Sequence, residues 1–272
     1  MAIITISRGT MSGGQMLADM LAKKLGYRCL SREIIIKAAD DYGVEEYKLF
    51  EAIRKSPTIL QKLTFDRERY LAFIQASLCE YAKDDNLIYH GHAGHILLKG
   101  ISHVLRFRIL AGMPFRLKAA MERHKFTEEE ARKYIEQVDK ERIKWTKFLY
   151  GKDWTSAELY DLVVNLDNAD LDFACDLVMC AIKQPAFQTT TDSKKMMNDL
   201  LIFSRIRAAL AQIPQIRLGS LDIKADNGEI ILQGKCKSAK ILDTILEITT
   251  NVPGVTQVIN KLNVDYRNFP VE

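Results

Sequence analysis

The chain has 272 residues, of which 47% are hydrophobic and 27% charged, and its formal net charge is +4. This length allows one large domain or two smaller ones, with a sizeable core. The mild positive charge does not favour nucleic acid or an acidic membrane surface as the partner, but it suits a small anionic ligand. No apolar run approaches the roughly 20 residues that a membrane-spanning helix needs, so we expect no integral membrane segment.

Cysteine usage and the first residues bear on the cellular compartment. The five cysteines are scattered and form no C-x-x-C pair, which indicates reduced thiols. The opening MAIITISRG has neither a basic region nor a small-residue cleavage site, so we expect no signal peptide. Together these features predict a cytoplasmic protein.

Apolar runs and helical patterns alternate through the first two thirds of the chain. The strand-like runs lie at residues 2–7, 86–91, 103–111 and 160–168. The helical stretches lie at residues 14–26, 31–43, 67–84, 114–124, 127–151 and 170–183. Thr127 and Glu130 have the spacing of a capping box at the start of the longest helix. Strands that alternate with helices predict an α/β fold with a mainly parallel sheet.

The composition changes once, near residue 184. Residues 184–196 are rich in Pro, Gln, Thr and Ser and lack an apolar period, so we interpret them as a linker. After the linker the pattern is helix, strand, strand, helix, strand, with helices at 199–213 and 238–251. Asn227 and Gly228 separate the first two strands and supply the positive φ that a tight hairpin turn needs. This order predicts a small α+β module.

Residues 9–14 read G-T-M-S-G-G and connect the first predicted strand to the first helix. A glycine-rich turn at this place exposes the free N–H groups of the helix start, which bind phosphate. The usual phosphate-binding loop continues with Lys, for the phosphates, and Ser or Thr, for Mg²⁺. Here these positions hold Gln15 and Met16. The loop alone leaves two interpretations open: an anion site, or a turn that merely packs the helix on the strand.

Three separated segments resemble the cytidylate kinase-like family, whose members are similar to nucleoside monophosphate kinases. The first is ITISRGTMSGGQMLADMLAKKLGYRCLSREIIIKAA, where the family has S-R-x-x-G-S-G-G-R-E, L-G-Y and D-R-E-I-I. The second is NLIYHGHAGHILL, where the family tends to have V-G-R-G-A-N-x-I-L. The third, EEEARKYIEQVDKERIKWTKFLYGKDWTSAELYDLVVN, is similar to the family's lid region and following strand. The resemblance implies a P-loop kinase-like, three-layer α/β fold with a parallel sheet and a helical lid.

The C-terminal module resembles a BON domain. Its hairpin follows the pattern n-G-x-[IV]-x-L-x-G, and its last strand follows v-x-G-V-x-x-V-x-N-x-L-x-V. We therefore predict a kinase-like P-loop domain at 1–183, a linker at 184–196 and a BON (αββαβ) domain at 197–266. The ligand of the BON domain and a possible homodimer are left open by the sequence.

The family resemblance implies transfer of the ATP γ-phosphate to a nucleoside monophosphate or another small acceptor, with ATP and Mg²⁺ as cofactors. The phosphate-binding residues would be Arg8, Gly9, Ser12, Gly13, Gly14 and Gln15. The substrate-binding residues would be Ser31, Arg32, Gly91 and His92. The lid would contribute Asp139, Lys140, Arg142, Lys144 and Lys147. The residues expected to act in catalysis are Gln15, Arg142 and Arg116.

Three positions depart from the family in the same direction. Gln15 stands where the family has a basic residue, Ser31 where it has Asp, and His92 where it has Arg. A neutral amide can donate a hydrogen bond to phosphate but cannot neutralise its charge, so we expect weakened or altered catalysis. The alternatives are a non-catalytic nucleotide sensor and a protein that binds a ligand or a membrane through its BON domain.

Two residue groups have a second interpretation. The lid lysines also fit a solvated helix face with Glu–Lys pairs. His90, His92 and His95 invite a zinc site, but their spacing matches no standard one. We therefore favour a substrate loop for the histidines and predict no metal site.

Overall fold

The computed structural model describes residues 2–54 and 66–265. These residues form two compact units, one chiefly from 2–33 and 84–190 and the other chiefly from 34–52, 66–83 and 191–265. Residues 1 and 266, at which two of the predicted domains begin and end, lie outside the described ranges. Within those ranges, no helix has both the length and the apolar character that crossing a membrane requires.

The first unit is built on a parallel five-stranded sheet of order β2-β3-β1-β4-β5. The strands are β1 (Ile3–Arg8), β2 (Arg28–Leu30), β3 (Leu87–Tyr89), β4 (Val104–Leu110) and β5 (Leu162–Asn165). The central strand β1 pairs in parallel with both β3 and β4. The predicted α/β fold with a parallel sheet is confirmed. The sequence did not indicate β2, because three residues are too short to show a period.

The central strand is anchored by the core, as the continuous apolar run at its start requires. Ile4 and Ile6 are fully covered, and they share one hydrophobic cluster with Leu17 and Leu21 of α1 (Gly14–Leu25). Helix α8 (Leu171–Ala181) contacts α1 and adds Val178 to the same cluster. The loop between β1 and α1 is therefore fixed at both ends by buried structure.

Three further helices belong to this unit: α5 (Gly94–Leu97), α6 (Met113–His124) and α7 (Glu128–Tyr150). Helices α6 and α7 pack through the buried side chains of Leu117, Ala120, Ala131 and Ile135. The capping box of α7 is confirmed. The Thr127 hydroxyl accepts from the Glu130 N–H at 3.3 Å, and the Glu130 carboxylate accepts from the Thr127 N–H at 2.8 Å.

The second unit joins three helices from the first half of the chain to the C-terminal segment. Its helices are α2 (Glu33–Tyr42), α3 (Glu46–Arg54), α4 (Asp66–Ala82), α9 (Thr191–Ala211) and α10 (Ala239–Thr250), and its strands are β6 (Leu221–Asp226), β7 (Glu229–Cys236) and β8 (Gln257–Val264). Strand β7 pairs antiparallel with β6 and parallel with β8. Asn227 (φ 51°) and Gly228 (φ 84°) form the predicted turn. The helix-strand-strand-helix-strand order is confirmed.

Helix α9 begins at Thr191, inside the segment expected to be a linker, so the predicted helix start at 199 was wrong. Ser193 and Met197 are buried one turn apart at the beginning of α9. Helices are predicted from the spacing of apolar residues, and a serine is not counted as apolar. The buried Ser193 therefore interrupts the apolar pattern, and the first turns of α9 were not recognised as helical. A short 3-10 helix at Pro185–Phe187 occupies another part of the same segment.

Candidate functional site

The loop after β1 presents a run of main-chain donors. Gly13 has a φ of 84° and caps α1 without any side-chain hydrogen bond. Met11, also left-handed with a φ of 61°, turns the chain before it. In the described part of the chain, no protein acceptor faces the N–H groups of residues 13–16. Free N–H groups at a helix start carry partial positive charge, so this turn is suited to bind an anion.

Arg8, the last residue of β1, brings a cation to the same place. A Cβ atom added to Gly14 would lie 2.3 Å from the Arg8 Cδ atom, so the arginine side chain crosses the start of α1. Among the described residues, none accepts a hydrogen bond from the Arg8 guanidinium. Burial, and then the nearby charge of Arg142, lower the pKa of Arg8 to about 10. Arg8 therefore remains charged at neutral pH, and no described residue pairs with it as a counter-ion.

Helix α7 directs one acidic and one basic side chain towards the loop. Asp139 Oδ1 accepts from the Thr10 N–H at 3.0 Å and from the Thr10 hydroxyl at 2.7 Å. Arg116 of α6 donates from Nε to the Thr10 carbonyl at 2.7 Å and forms an ion pair with Asp139. Arg142 donates to the Arg8 carbonyl and lies 3.7 Å from Asp139 Oδ1. Two helices thus place two arginines and one carboxylate against the loop.

A small, partly open pocket adjoins this cluster. It lies beyond the carboxyl ends of β1 and β3, where ligands bind in open α/β sheets. Helix α7 and the segment that follows it complete the wall. The lining residues are Ser7, Arg8, Gly91, His92, Ala93, His95, Arg142, Trp145, Thr146 and Trp154. The pocket therefore combines two guanidinium groups with aromatic and small polar side chains.

A buried network of hydrogen bonds holds two residues of the pocket wall, Ser7 and Trp154, in place. The Tyr160 hydroxyl donates to the Trp154 carbonyl at 2.7 Å and lies 3.0 Å from the Ser7 hydroxyl. Arg108 of β4 is 6% exposed and donates to the same Trp154 carbonyl. The guanidinium carbons of Arg108 and Arg142 lie 4.5 Å and 5.1 Å from the Trp154 ring centre, within cation–π range. Arg108 was not among the predicted site residues, although an arginine inside the apolar run VLRFRIL was a signal.

The histidines of this region are neutral or engaged in packing. Burial lowers the pKa of both His90 and His95 to about 4, helped by Arg8 for His90 and by Arg106 for His95. The His92 ring lies 6.1 Å from the Trp145 ring at the pocket wall. Within residues 2–54 and 66–265, no three or more His, Cys, Asp or Glu side chains gather in a way that could hold a metal ion.

The structure brings together some of the predicted site residues and separates others. Arg8, Gly91, His92 and Arg142 line the pocket, while Gly9, Arg116 and Asp139 meet at the adjoining loop. The remaining predicted residues also lie outside the pocket lining, and they are Ser12, Gly13, Gly14, Gln15, Ser31, Arg32, Lys140, Lys144 and Lys147. Of these, Ser12 to Gln15 form the loop and helix start, and the Ser12 hydroxyl donates to the Gly9 carbonyl at 2.9 Å.

The lid lysines do not turn inward with Arg142. Lys140, Lys144 and Lys147 are exposed, and Lys144 pairs with Glu141 at 3.8 Å. Asp139 and Arg142, three residues apart, share the inner face with buried Ile135. The interpretation of the lysines as a solvated face describes their position in the structure. The Ser31 N–H donates to the Glu33 carboxylate at 2.6 Å, at the beginning of α2.

The loop fits a phosphate group better than it fits a metal ion. The donors at residues 13–16 and the unpaired Arg8 suit the oxygens of a polyphosphate. Met16, which is 45% exposed, stands where the usual loop places a hydroxyl for Mg²⁺. Asp139 is already engaged by Thr10 and Arg116. The described residues of the loop thus offer little to hold a Mg²⁺ ion directly.

Comparison with known proteins agrees with this geometry. The model of the cytidylate kinase-like family matches residues 3–168, and the BON domain model matches residues 198–266. A cytidylate kinase of Ignicoccus hospitalis is 31% identical over 168 residues, which cover 61% of this chain and 90% of that protein. A cytidylate kinase of Methanopyrus kandleri is 25% identical over 189 residues, 66% of this chain and 92% of that protein.

A solved structure shows the same fold. The crystal structure of an uncharacterised protein from Eubacterium ventriosum superimposes with a TM-score of 0.53 at 21% identity, covering 66% of this chain and 97% of the other. At this identity the likeness extends to the fold alone. With the parallel sheet, the helical lid and the glycine-rich loop in place, the chain belongs to the cytidylate kinase-like family and carries a C-terminal BON domain.

Proposed function

We propose that this protein binds ATP and transfers its γ-phosphate to a nucleoside monophosphate, with CMP the first acceptor to test. The observation that carries the proposal is the Arg8 side chain, which crosses the start of α1 near its free N–H groups and whose guanidinium has no acceptor among the described residues. A cation held near other cations without a counter-ion is unfavourable unless an anionic ligand completes the site. The curated cytidylate kinases that resemble this chain support the choice of acceptor.

The balance of charge around the pocket supports a ligand with several negative charges. Four guanidinium groups surround the pocket and the loop, from Arg8, Arg108, Arg116 and Arg142. In the described part of the chain, the ion pairs of these four arginines involve a single carboxylate, that of Asp139. A polyphosphate supplies the missing negative charge, and the arginine forks match phosphate oxygens in geometry.

Phosphoryl transfer depends mostly on positioning and on cancelling negative charge, which ATP with Mg²⁺ and basic side chains provide in kinases. In the proposed reaction the N–H groups of residues 13–16 hold the phosphates of ATP. Arg8 supplies the positive charge that Gln15 lacks. Arg116 and Arg142 reach the transferred group from α6 and α7, and the inner face of α7 excludes water from it. His92 and Gly91 lie where the second substrate would contact the wall.

The second candidate function is a nucleotide sensor without turnover. Gln15 is exposed and uncharged, and Met16 offers no hydroxyl, so two elements of the usual catalytic loop are missing. A site of this kind binds nucleotide through its arginines but stabilises the transition state poorly. In that case the BON domain would respond to the bound nucleotide.

The decisive experiment measures binding and turnover separately. Purified full-length protein is titrated with ATP by calorimetry, and it is then incubated with ATP, Mg²⁺ and a panel of nucleoside monophosphates, with nucleoside diphosphate as the measured product. Arg8→Met is expected to weaken ATP binding about ten-fold or more, because the variant loses a charge-assisted contact to phosphate. The matched control is Lys118→Met, which removes an exposed cation from α6.

The outcomes separate the candidates. Turnover that falls in Arg8→Met but not in Lys118→Met supports the kinase. ATP binding with no transfer to any acceptor and no hydrolysis supports the sensor. Absence of nucleotide binding in the folded protein rejects both.

We also propose a kinase-like domain at 1–183, a linker that begins at 184 and ends before α9, and a BON domain that runs from α9 to residue 266, in a cytoplasmic protein whose partners are small phosphorylated ligands and not nucleic acid. The free thiols of all five cysteines support a reducing compartment. The position of α9 limits the linker to the residues before Thr191. Limited proteolysis of the full chain tests this division, since cleavage is expected first at 184–190.

A further inference from the structure

Asp139 occupies the donors that an anionic ligand of the loop would use. One of its oxygens accepts from both the N–H and the hydroxyl of Thr10, at 3.0 Å and 2.7 Å. Its carboxylate is also paired with Arg116 and lies 3.7 Å from Arg142. A carboxylate that accepts from a loop N–H, a hydroxyl and one guanidinium, with a second guanidinium close by, has the kind of partners that a phosphate group has.

We propose that Asp139 is an internal anion that competes with ligand phosphate for Thr10, Arg116 and Arg142, and that Thr10 is itself a phosphate-binding residue. The inference rests on the proposed function, since it assigns to the same loop the phosphate that the nucleotide brings. Phosphate binding displaces Asp139 from Thr10, and α7 shifts with it because Asp139 is part of that helix.

The surroundings of Asp139 make this exchange feasible. Its side chain is 21% exposed, so water reaches the carboxylate when it is released. Thr10 is 7% exposed, and in the described ranges its hydroxyl donates to no carboxylate other than that of Asp139. A polyphosphate carries more negative charge than one carboxylate, so it binds the two arginines more strongly once it arrives. Asp139 thereby keeps the loop and its arginines in place before the ligand binds, but it also lowers the apparent affinity.

The size of this effect follows from the population of the open state. The apparent dissociation constant equals the intrinsic one divided by the fraction of molecules in which the donors are free, so a site that is open one tenth of the time binds about ten-fold more weakly. Removing the charge of Asp139 without changing its shape weakens the competition, because a neutral amide oxygen attracts the arginines and accepts from Thr10 less strongly than a carboxylate does. The variant Asp139→Asn is therefore expected to bind the phosphate chain more tightly than the unaltered protein does.

The test uses inorganic tripolyphosphate and ATP as separate probes of the full-length protein in calorimetry without Mg²⁺. Asp139→Asn is expected to bind both about ten-fold more tightly than the unaltered protein. The matched control is Glu141→Gln, which removes a negative charge two residues away on the same helix, from the side chain that pairs with Lys144. It is expected to change either affinity less than two-fold. Adding Thr10→Val to Asp139→Asn is expected to reverse most of the gain, because the hydroxyl donor is lost.

The outcomes distinguish this inference from the proposed function. If the unaltered protein and Glu141→Gln bind ATP but Asp139→Asn binds it equally or more weakly, Asp139 is no competitor while nucleotide binding stands. If none of the three folded proteins binds either probe, both proposals fail. A crystal structure of the unaltered protein with tripolyphosphate adds a measurement that does not depend on a variant. Phosphate at Thr10 with Asp139 moved away supports the competition, and phosphate bound elsewhere with the Thr10–Asp139 contact intact overturns it.

Discussion

The Arg8 side chain occupies the space in which residue 14 would carry its Cβ atom. A Cβ built on Gly14 lies 2.3 Å from Arg8 Cδ and 2.8 Å from Arg8 Cβ, so a methyl group at residue 14 and the present path of Arg8 exclude each other. The glycine at the start of α1 therefore does more than open a turn. It leaves room for the Arg8 side chain to pass the start of α1 on its way to the pocket.

Gly14→Ala tests this relationship directly. The variant is expected to lose about 1–3 kcal/mol of unfolding free energy, as overpacked sites do, and to lose most of its ATP affinity because Arg8 is displaced. Denaturant unfolding and calorimetric titration measure the two effects. Gly9→Ala is the steric control, since a Cβ there meets Arg116 at 3.6 Å, an ordinary contact, and the unfolding free energy is expected to stay unchanged. Equal ATP affinity in Gly14→Ala and the unaltered protein would contradict the role of Arg8.

Gln15→Lys restores the charge that the usual phosphate loop carries. Gln15 is exposed, so a lysine needs no repacking, and its ammonium lies next to the N–H groups that face the ligand. We expect ATP affinity to rise several-fold, with a parallel rise in any phosphoryl transfer. Gln257→Lys, an exposed change in the BON domain, controls for the gain of one positive charge. If Gln15→Lys binds ATP more weakly than the control does, the loop does not hold phosphate near residue 15.

Loss of a positive charge is expected to affect ATP binding and turnover on the inner face of α7 but not on its exposed face. Arg142→Met removes a guanidinium that lines the pocket and donates to the Arg8 carbonyl, so ATP binding and turnover are expected to fall at least ten-fold. Lys140→Met and Lys147→Met remove exposed ammonium groups and are expected to change both by less than two-fold. Steady-state kinetics and calorimetry measure the contrast. Comparable losses in all three variants would indicate that the lysines also reach the ligand.

Acid is expected to destabilise the protein through its buried histidines. Burial lowers the pKa of His95 from 6.5 to about 4. Between those values the unfolded chain binds a proton that the folded chain does not, so stability falls as the pH falls through this window. The loss is about 2 kcal/mol per histidine between pH 7.5 and pH 5.

Denaturant unfolding at both pH values measures this slope. His95→Gln is expected to remove the part of the pH dependence that His95 contributes, even if the variant is less stable than the unaltered protein at every pH. His124→Gln serves as the control for the loss of an exposed histidine. An unchanged slope in His95→Gln would show that the pKa of His95 is not lowered in the folded protein.

Local patterns determined most of the fold. The apolar run of β1, the capping box of α7 and the Asn227–Gly228 turn each depend on residues close in sequence, and each is confirmed in the structure. Two features were not predicted from the sequence. Strand β2 has only three residues, which are too few to show an alternating pattern. The true start of α9 was missed because a buried serine interrupts the apolar helical pattern. Family membership was also evident from motifs that lie within short segments.

The sequence by itself determined the glycine-rich loop, the strand before it, the lid helix and the absence of a basic residue at position 15. Only the tertiary structure decided which charges meet at the loop. Thr10 and Asp139 are 129 residues apart, and the contact between them depends on how α7 rotates about its axis when Ala131 and Ile135 pack against α6. That rotation turns Asp139 and Arg142 inward and leaves the neighbouring lysines in water. No local pattern specifies it, because the side chains that fix it belong to different elements.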